Sequence, residues 1–473
     1  MAETIFDVVV MGGGPAGYTC AIRAAQYGLK VALIDANERL GGTCLLWGCI
    51  PTKAMLFSAE VWDHMKHAAS YGIDAPAPKL NWKNLLARKD DVILRHTKGL
   101  DFLMKKNKIT VLKGYGRLTG AAKGGVHTVD VTLSVDGKKQ AVQAKKLVLA
   151  TGSDARMLPG YTPDDTIMTN IEILKTDHMP KSLVVVGSGA VGVEFASVFK
   201  SFGAEVTILE ALPRIVNAED EEISKELLRL YKKRGIDVHV GAKVDTIEKN
   251  KDGALVHFTK ADGKSETKQA EKVLVAVGRA PRTYDIGLDT VNIKPDRGFI
   301  MTNEWHETTE PGIYAIGDIV GGLPQLAHVG GMAGLIVAAR LAGKYAKPIA
   351  RNRIPGCTYC EPQIGSVGLT EAQAKEKGYQ IKVGKFPFVG NSKATILDSH
   401  DGFVKVVADA KYGEILGVHI IGPAATEIIA ECVTAIELEA TVEEMMNTIH
   451  AHPTVAEALL DGFSSVEGKA INV

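Results

Sequence analysis

With 473 residues the chain is too long for one ordinary core, so two to four domains are expected. It is 46 % apolar and 23 % charged, an ordinary globular composition, and its 55 Lys+Arg match 55 Asp+Glu, which leaves no electrostatic reason to expect nucleic acid or a membrane surface as partner. No apolar run approaches the ~18–20 residues of a spanning helix, and Met1–Thr4 opens without a basic or Arg/Ser-rich leader, so a cytoplasmic location is expected.

The β-branched run at residues 6–11 marks a buried parallel strand. It feeds Gly12, Gly14 and Gly17, then an Ala-rich helix over 18–27 and a second strand over 30–34 that ends at Asp35. Strand, glycine loop, helix, strand and acid in this order form a dinucleotide fingerprint. The glycines let the backbone approach a pyrophosphate at a helix N-terminus, and the acid accepts from a ribose hydroxyl.

Residues 41–53 carry two cysteines, Cys44 and Cys49, five residues apart. In a straight helix such residues have Cα atoms roughly 8–9 Å apart, and a straight strand holds them further apart still, whereas a disulfide needs about 4.4–6.8 Å. A bent segment closes the gap, and Gly48 and Pro51 permit the bend. Six cysteines in this length are not a disulfide scaffold, so a close pair in a reducing compartment is catalytic or metal-binding. Metal is the weaker option because no second close pair or Cys/His cluster completes a four-ligand set. We read Cys44 and Cys49 as a redox pair at the entry to a helix. Cys20, Cys357, Cys360 and Cys432 read as small buried residues, although Cys357 and Cys360 have CxxC spacing.

A helix is expected over 53–71 and a longer one over 82–107, with Leu85, Leu86, Val92, Ile93, Leu100 and Leu103 as its apolar stripe. Residues 109–150 alternate like antiparallel strands and end at Thr151 and Gly152. The chain then repeats itself: a strand at 183–186, Gly187, Gly189 and Gly192, a helix, and a strand at 205–209 ending at Glu210. Glu210 lies 23 residues beyond Gly187, as Asp35 lies 23 beyond Gly12. The run 273–279, with Gly278, echoes 147–152. Such a repeat implies two nucleotide-binding domains, one for a flavin dinucleotide and one for a nicotinamide dinucleotide. A further short strand ends at Gly317-Asp318, and from about 346 an α+β domain follows, with alternating strands over 364–422 and a helix over 426–439. Near the C-terminus, His450 and His452 precede Thr454-Val455-Ala456-Glu457, which is also a capping-box pattern. Two histidines without a third ligand do not make a metal site.

These motifs in this order resemble the pyridine nucleotide-disulfide oxidoreductases over essentially the whole chain. The match rests on the first fingerprint with Pro15 and Tyr18, residues 41–53, the second fingerprint with Glu194, Gly317-Asp318, and His452-Pro453-Thr454 followed by Glu457. Within the family the chain is most similar to members that oxidise dihydrolipoamide with NAD+. The resemblance implies an α/β homodimer of two Rossmann-like domains and an α+β interface domain. The FAD domain would take 1–152 and a central remainder at 278–345, the NAD domain 153–277, and the dimerisation domain 346–473. FAD would lie along the first fingerprint, with Asp35 on the adenosine ribose, Asp318 on the ribityl chain, and Thr43, Lys53, Thr151 and Gly152 lining it. NAD would lie along the second, with Glu194, Glu210 and Gly278. The bland readings are a solvated helix charge for Lys53 and a helix-start acid for Glu194.

The implied chemistry assigns His452, oriented by Glu457 and supplied by the opposite subunit, to deprotonate the substrate dithiol. Cys44 would exchange with the substrate and Cys49 would face the flavin, with NAD+ the final acceptor. Glu210 favours NAD over NADP because a carboxylate repels a 2′-phosphate, although Arg214 lies nearby. Implied partners are the lipoyl domains of 2-oxoacid dehydrogenase or glycine cleavage complexes. Leu46, Trp47 and Thr52 depart from the usual family residues, so the wall of the redox site is expected to differ. The rivals are a glutathione-type reductase, which would favour NADP; a mercuric reductase, which would carry a C-terminal cysteine pair; and a non-catalytic lipoyl-complex binding component, which would need no redox pair.

Overall fold

The computed structural model describes residues 5–472, so the leader reading of Met1–Thr4 lies outside the described residues. The chain forms two compact units. The first comprises Met1–Ala54, Asn84–Arg156 and Arg279–Ile349; the second comprises Met55–Lys83, Met157–Gly278 and Ala350–Val473.

In the first unit, β1 (Ile5–Met11) leads into α1 (Pro15–Gln26), whose first residue is a proline that needs no N–H partner there and has a φ suited to a helix. The parallel strand β2 (Val31–Asp35) follows and is buried along its whole length. Next come α2 (Gly42–Trp47) and α3 (Cys49–Lys66), which passes into the second unit at Met55, then α4 (Trp82–Lys106), which belongs to the first unit from Asn84. The helix expected over 53–71 thus starts earlier and stops at Lys66, with a separate 3-10 turn over Ala68–Tyr71. On α4, Ile93 and Leu100 are buried as expected, and Trp82, Lys89, Thr97 and Met104 share that face.

The alternating region 109–150 is only half antiparallel. Strands β3 (Thr110–Leu118), β4 (His127–Leu133) and β5 (Lys139–Leu149) form a meander, but β3 begins parallel to β2 and β5 ends parallel to both β1 and Ile313–Ala315. Long strands here take part in both the parallel and the antiparallel pairing of one sheet, which a period-two pattern does not distinguish. The parallel part runs β3-β2-β1-β5 and then Ile313–Ala315, a doubly wound order whose strands end where a ligand binds.

By length and composition the helical stretch Gly42–Lys66 is apolar enough to cross a membrane, contrary to the expectation that no run would be. It is broken at Gly48, and Leu45, Met55 and Ala59 are buried in the protein.

The second unit repeats the doubly wound design. Its parallel strands are Asp237–Val240, Glu205–Glu210, Ser182–Val186, Lys272–Val275 and Ile167–Met168, in that order. A separate antiparallel sheet in this unit orders Gly356–Thr358, Gln363–Gly368, Ile415–Gly422, Phe403–Asp409 and Ile381–Pro387, and the helices Ala425–Glu437 and Glu457–Val466 pack on it. Lys405 is buried in this sheet, its Nζ 2.9 Å from Asp220, 2.8 Å from Glu222 and 2.7 Å from Glu371.

One buried histidine sets an acid limit on the first unit. His306 has a left-handed φ of +63°, and neither ring nitrogen has a hydrogen-bond partner among the described residues. Burial lowers its pKa to about 4, against a usual 6.5. A depressed histidine pKa means that the unfolded chain binds the extra proton. Its contribution is therefore complete above pH ~6.5 and lost as pH falls through about 4, on the order of 3 kcal/mol in all. His306→Leu is expected to flatten the fall of melting temperature between pH 7 and 4.5; an unchanged slope in thermal melts would show that this histidine does not govern acid lability.

Candidate active site

The two fingerprints fold alike. Gly12 has φ +115° and Gly187 φ +98°, and a Cβ on either would strike the carbonyl of Ala150 or Ala276 at the end of the adjacent strand. A Cβ on Gly17 or Gly192 would strike the carbonyl of Gly12 or Gly187. These four glycines are demanded by the turn and by helix–strand packing. Gly14 and Gly189 are different. A Cβ on Gly14 would meet only the Gly42 Cα, at 3.7 Å, and one on Gly189 nothing within 4 Å. Nothing in the protein requires glycine there, whereas a pyrophosphate lying on the helix N-terminus does. Both loops therefore fit a dinucleotide.

Gly189→Ala should accordingly fold with an unchanged melting temperature and retain flavin, while the KM for NAD+ rises about tenfold or more, given that a lost charge-assisted hydrogen bond is worth ~1.5–3 kcal/mol. Titration of the variant with NAD+ decides it, and wild-type affinity would remove the second loop from the nucleotide site.

The acids repeat the same pattern. The Gly13 N–H donates to Asp35 Oδ2 at 2.5 Å, and the Ser188 N–H donates to Glu210 Oε2 at 2.8 Å. Two residues beyond each acid, the N–H of Asn37 or Leu212 donates to its other oxygen at 2.8 Å. Both carboxylates are nearly buried and locked in orientation, with lone pairs left for a ribose.

The redox stretch is built onto the first loop. The Gly41 N–H donates to the Gly13 carbonyl at 2.8 Å, and a Cβ on Gly42 would sit 2.6 Å from the Gly14 Cα. Gly41 and Gly42 take φ +131° and +57°, so α2 starts directly against the pyrophosphate loop. Gly48, at φ −137° and ψ −108°, breaks α2 from α3, which supplies the bend that the cysteine spacing requires. Pro51 falls in the first turn of α3, where its missing N–H costs no helical bond.

Cys44 and Cys49 are both thiols. Cys44 is pushed far above the usual thiol range, first by its hydrogen bond with Cys49, then by burial and the Cys49 charge, while Lys53 pulls it down. Lys53 follows Cys49 by four residues on α3, which puts both on one face. The Tyr18 hydroxyl is raised by burial and then by both sulfurs, which sets α1 beside the pair. Leu46 packs with the core formed by β1 and α1, so its departure from the family pattern is absorbed there; Trp47 is half-buried.

Thr151, Gly152 and Asp318 close the first unit's site. Thr151 Oγ1 donates to the Arg282 carbonyl at 2.5 Å, and Gly152 has φ +78° with open space where a Cβ would be. Asp318 accepts from Ser153 Oγ, and Ser153 in turn accepts from Arg279 Nε at 2.7 Å. Arg279 Nη2 also reaches Thr43 Oγ1 at 3.4 Å. Neither Ser153 nor Arg279 stood out among the sequence motifs. The internal repeat held the signal, because they follow the equivalent glycines Gly152 and Gly278, and the short strands they open, Ser153–Ala155 and Arg279–Pro281, pair with each other.

In the second unit, Gly278 has φ +113° and open space beside it. Glu194 lies in the second turn of the helix Ala190–Ser201, not at its start, so a dipole role is excluded; it is buried and accepts from the Tyr359 N–H at 2.9 Å. Cys357 and Cys360 donate to the separate carbonyls of Thr426 and Pro362, and burial pushes Cys360 above the usual thiol range. No group of three or more metal-ligating residues occurs among the described residues.

His452 Nδ1 lies 2.9 Å from Glu457 Oε1, while the Thr454 N–H donates to Glu457 Oε2 at 2.8 Å. Only half of the capping box forms, because Thr454 Oγ1 donates backwards to the Ala451 carbonyl. Burial raises the Glu457 pKa, but the Thr454 N–H and His452 outweigh it and hold the group below the usual carboxylate range. His450 is separately engaged, with Glu431 at 2.8 Å.

Comparison with known proteins places this geometry. Residues 6–347 match the pyridine nucleotide-disulphide oxidoreductase model and residues 354–461 its dimerisation domain. The chain is 44 % identical to a dihydrolipoyl dehydrogenase of Bacillus subtilis and 42 % identical to one of Zymomonas mobilis, with 99 % of each chain covered in both cases. A mitochondrial dihydrolipoyl dehydrogenase of Arabidopsis thaliana is 38 % identical over 99 % of this chain and 91 % of its own. The crystal structure of LpdA from Mycobacterium tuberculosis superposes with a TM-score of 0.89 at 26 % identity, covering 96 % of this chain and 98 % of that one. With both dinucleotide folds, the dithiol and the dimerisation domain accounted for, the chain belongs to the pyridine nucleotide-disulphide oxidoreductases.

Proposed function

We infer that the protein is a homodimeric dihydrolipoyl dehydrogenase that oxidises dihydrolipoamide and reduces NAD+. The observation that carries this reading is the dithiol of α2 and α3, anchored on the pyrophosphate loop of one dinucleotide fold in a chain that holds a second such fold. Gly14, Asp35 and Asp318 would hold FAD, which would supply a two-electron acceptor for the dithiol, with NAD+ as the final acceptor.

The chain's own residues handle protons and sulfur. With Nδ1 donating to Glu457, the His452 Nε2 is left as the base. It takes a proton from one substrate thiol, and the thiolate attacks Cys44 in the oxidised pair, breaking its bond to Cys49. His452 passes that proton to solvent and takes the proton of the second substrate thiol, whose sulfur attacks the first, closing the lipoyl ring and expelling Cys44 as a thiolate. Cys44 recovers that second proton from His452. We assign His452 to the redox pair of the other subunit. Glu210, fixed by three donors, accepts from a 2′-hydroxyl and repels a 2′-phosphate, so NAD+ is the acceptor. The physiological partners are lipoyl domains of a 2-oxoacid dehydrogenase or glycine cleavage complex, and the reducing cytoplasm is the compartment.

Purified protein should be yellow and should reduce NAD+ with dihydrolipoamide at least ~tenfold faster than NADP+, a ratio that corresponds to about 1.4 kcal/mol. Reduction of oxidised glutathione by NADPH, without dihydrolipoamide turnover, would transfer the chain to the rival reductase class.

A further inference from the structure

Ser153 and Arg279 are unassigned by the reaction above, yet their hydrogen bonds have only one consistent direction. A guanidinium has donors and no acceptor. Arg279 Nε therefore donates to Ser153 Oγ at 2.7 Å, and Nη2 donates to the Ser153 carbonyl at 2.6 Å. The single Ser153 hydroxyl hydrogen is left to point at Asp318 Oδ2. This occupies one carboxylate oxygen and turns Oδ1 into the free acceptor. The same Nη2 reaches Thr43 Oγ1 at 3.4 Å, and Thr43 Oγ1 donates on to the Ser153 carbonyl at 3.4 Å.

Ser153 is 2 % exposed, so water does not substitute for a lost partner. Arg279 Nε stands 3.9 Å from Asp318 Oδ2, too far for a direct hydrogen bond, so the serine is the necessary link. Thr43 immediately precedes Cys44 at the start of α2. One guanidinium thus joins the redox helix to the carboxylate expected to hold the flavin.

We propose that Arg279 and Ser153 are positioning residues for the flavin: a one-way hydrogen-bond relay that orients Asp318 toward a ribityl hydroxyl and ties it to the redox helix at Thr43. The proposal rests on the reading of Asp318 as a flavin ligand. It assigns no proton transfer and no electron transfer to either residue.

The test is a double-mutant cycle on FAD binding, read by fluorescence titration of flavin-stripped protein at low temperature. Ser153→Ala and Arg279→Met should each weaken FAD binding by about tenfold or more, as expected for lost hydrogen bonds to charged groups. The double variant should bind no worse than the weaker single, because a relay broken once is broken. Near-wild-type binding by Ser153→Ala, or losses that multiply in the double variant, would overturn the relay. A role confined to fold stability would lower the melting temperature of both variants while leaving FAD affinity intact, and that result also overturns it. If Ser153→Ala fails to fold, Arg279→Lys against Arg279→Met decides: lysine keeps a donor and should recover part of the affinity, and equal loss in both rejects the relay. Wild-type protein that binds no FAD would instead sink the flavin reading itself.

Discussion

Cys44→Ser is expected to abolish NAD+ reduction by dihydrolipoamide, by roughly three orders of magnitude or more, while the protein stays folded, dimeric and yellow. Serine is close to cysteine in size and α2 is held by Gly41 and Gly42, not by the sulfur, so the loss will be chemical. A hydroxyl forms no exchangeable bond with a substrate thiolate. Steady-state NADH formation beside the flavin absorbance measures both halves of the claim. More than a tenth of wild-type activity would remove Cys44 from the exchange, and intact activity would revive the non-catalytic reading. A subunit test goes with it. Cys44→Ser and His452→Gln homodimers should both be inactive, but a mixed dimer of the two has one site with Cys44 from one subunit and His452 from the other. Activity recovered on co-expression supports the cross-subunit assignment, and mixed dimers that stay dead place both residues in one subunit's site.

What could be read from the residues alone was whatever the chain expresses locally. Gly12 to Asp35 and Gly187 to Glu210 lie within single βαβ units, so spacing and order carried them. The bend at Gly48 followed from the reach of a disulfide alone. Features made by long-range folding stayed hidden. Arg279 meets Ser153 across 126 positions, and Asp220 meets Lys405 across 185. In Phe403-Val404-Lys405-Val406, alternation correctly turns Lys405 away from the core valines. It gives no sign that this outer face is covered by the start of the helix Glu221–Lys233 from the preceding domain. Glu194 lies on the expected helix but one turn beyond its start, where it accepts from the Tyr359 N–H of the C-terminal sheet's loop, a long-range contact that the local pattern does not express.

Lys405→Met should be the most damaging change outside the active site, costing about 3–5 kcal/mol of stability, the scale for stripping one member from a buried ion cluster. Lys405 and Asp220 are each 2 % exposed, and Glu222 and Glu371 are partly covered. Burial tends to raise the Asp220 and Glu222 pKa values, yet Lys405 at Asp220, and Lys385 followed by Lys405 at Glu222, hold them below the carboxylate range; at Glu371, Lys375 and Lys405 do the same. Depressed carboxylates contribute stability above their unfolded pKa of ~4 and lose it as pH falls through the lower folded values. Removing the lysine leaves their mutual repulsion uncompensated and drives these pKa values upward, so the variant gains relief from protonation as the wild type loses support. The gap in melting temperature between variant and wild type should therefore be widest near pH 7.5 and narrow toward pH 4.5. Asp220 still caps the helix Glu221–Lys233 through the Glu222 N–H at 3.0 Å, so the helix itself persists and the damage falls on the seam between the second doubly wound fold and the C-terminal sheet. Surviving protein should keep its KM for dihydrolipoamide. A variant with a wild-type melting curve at pH 7.5, or a gap that widens on acidification, would show that the cluster is neither strained by burial nor held by this lysine.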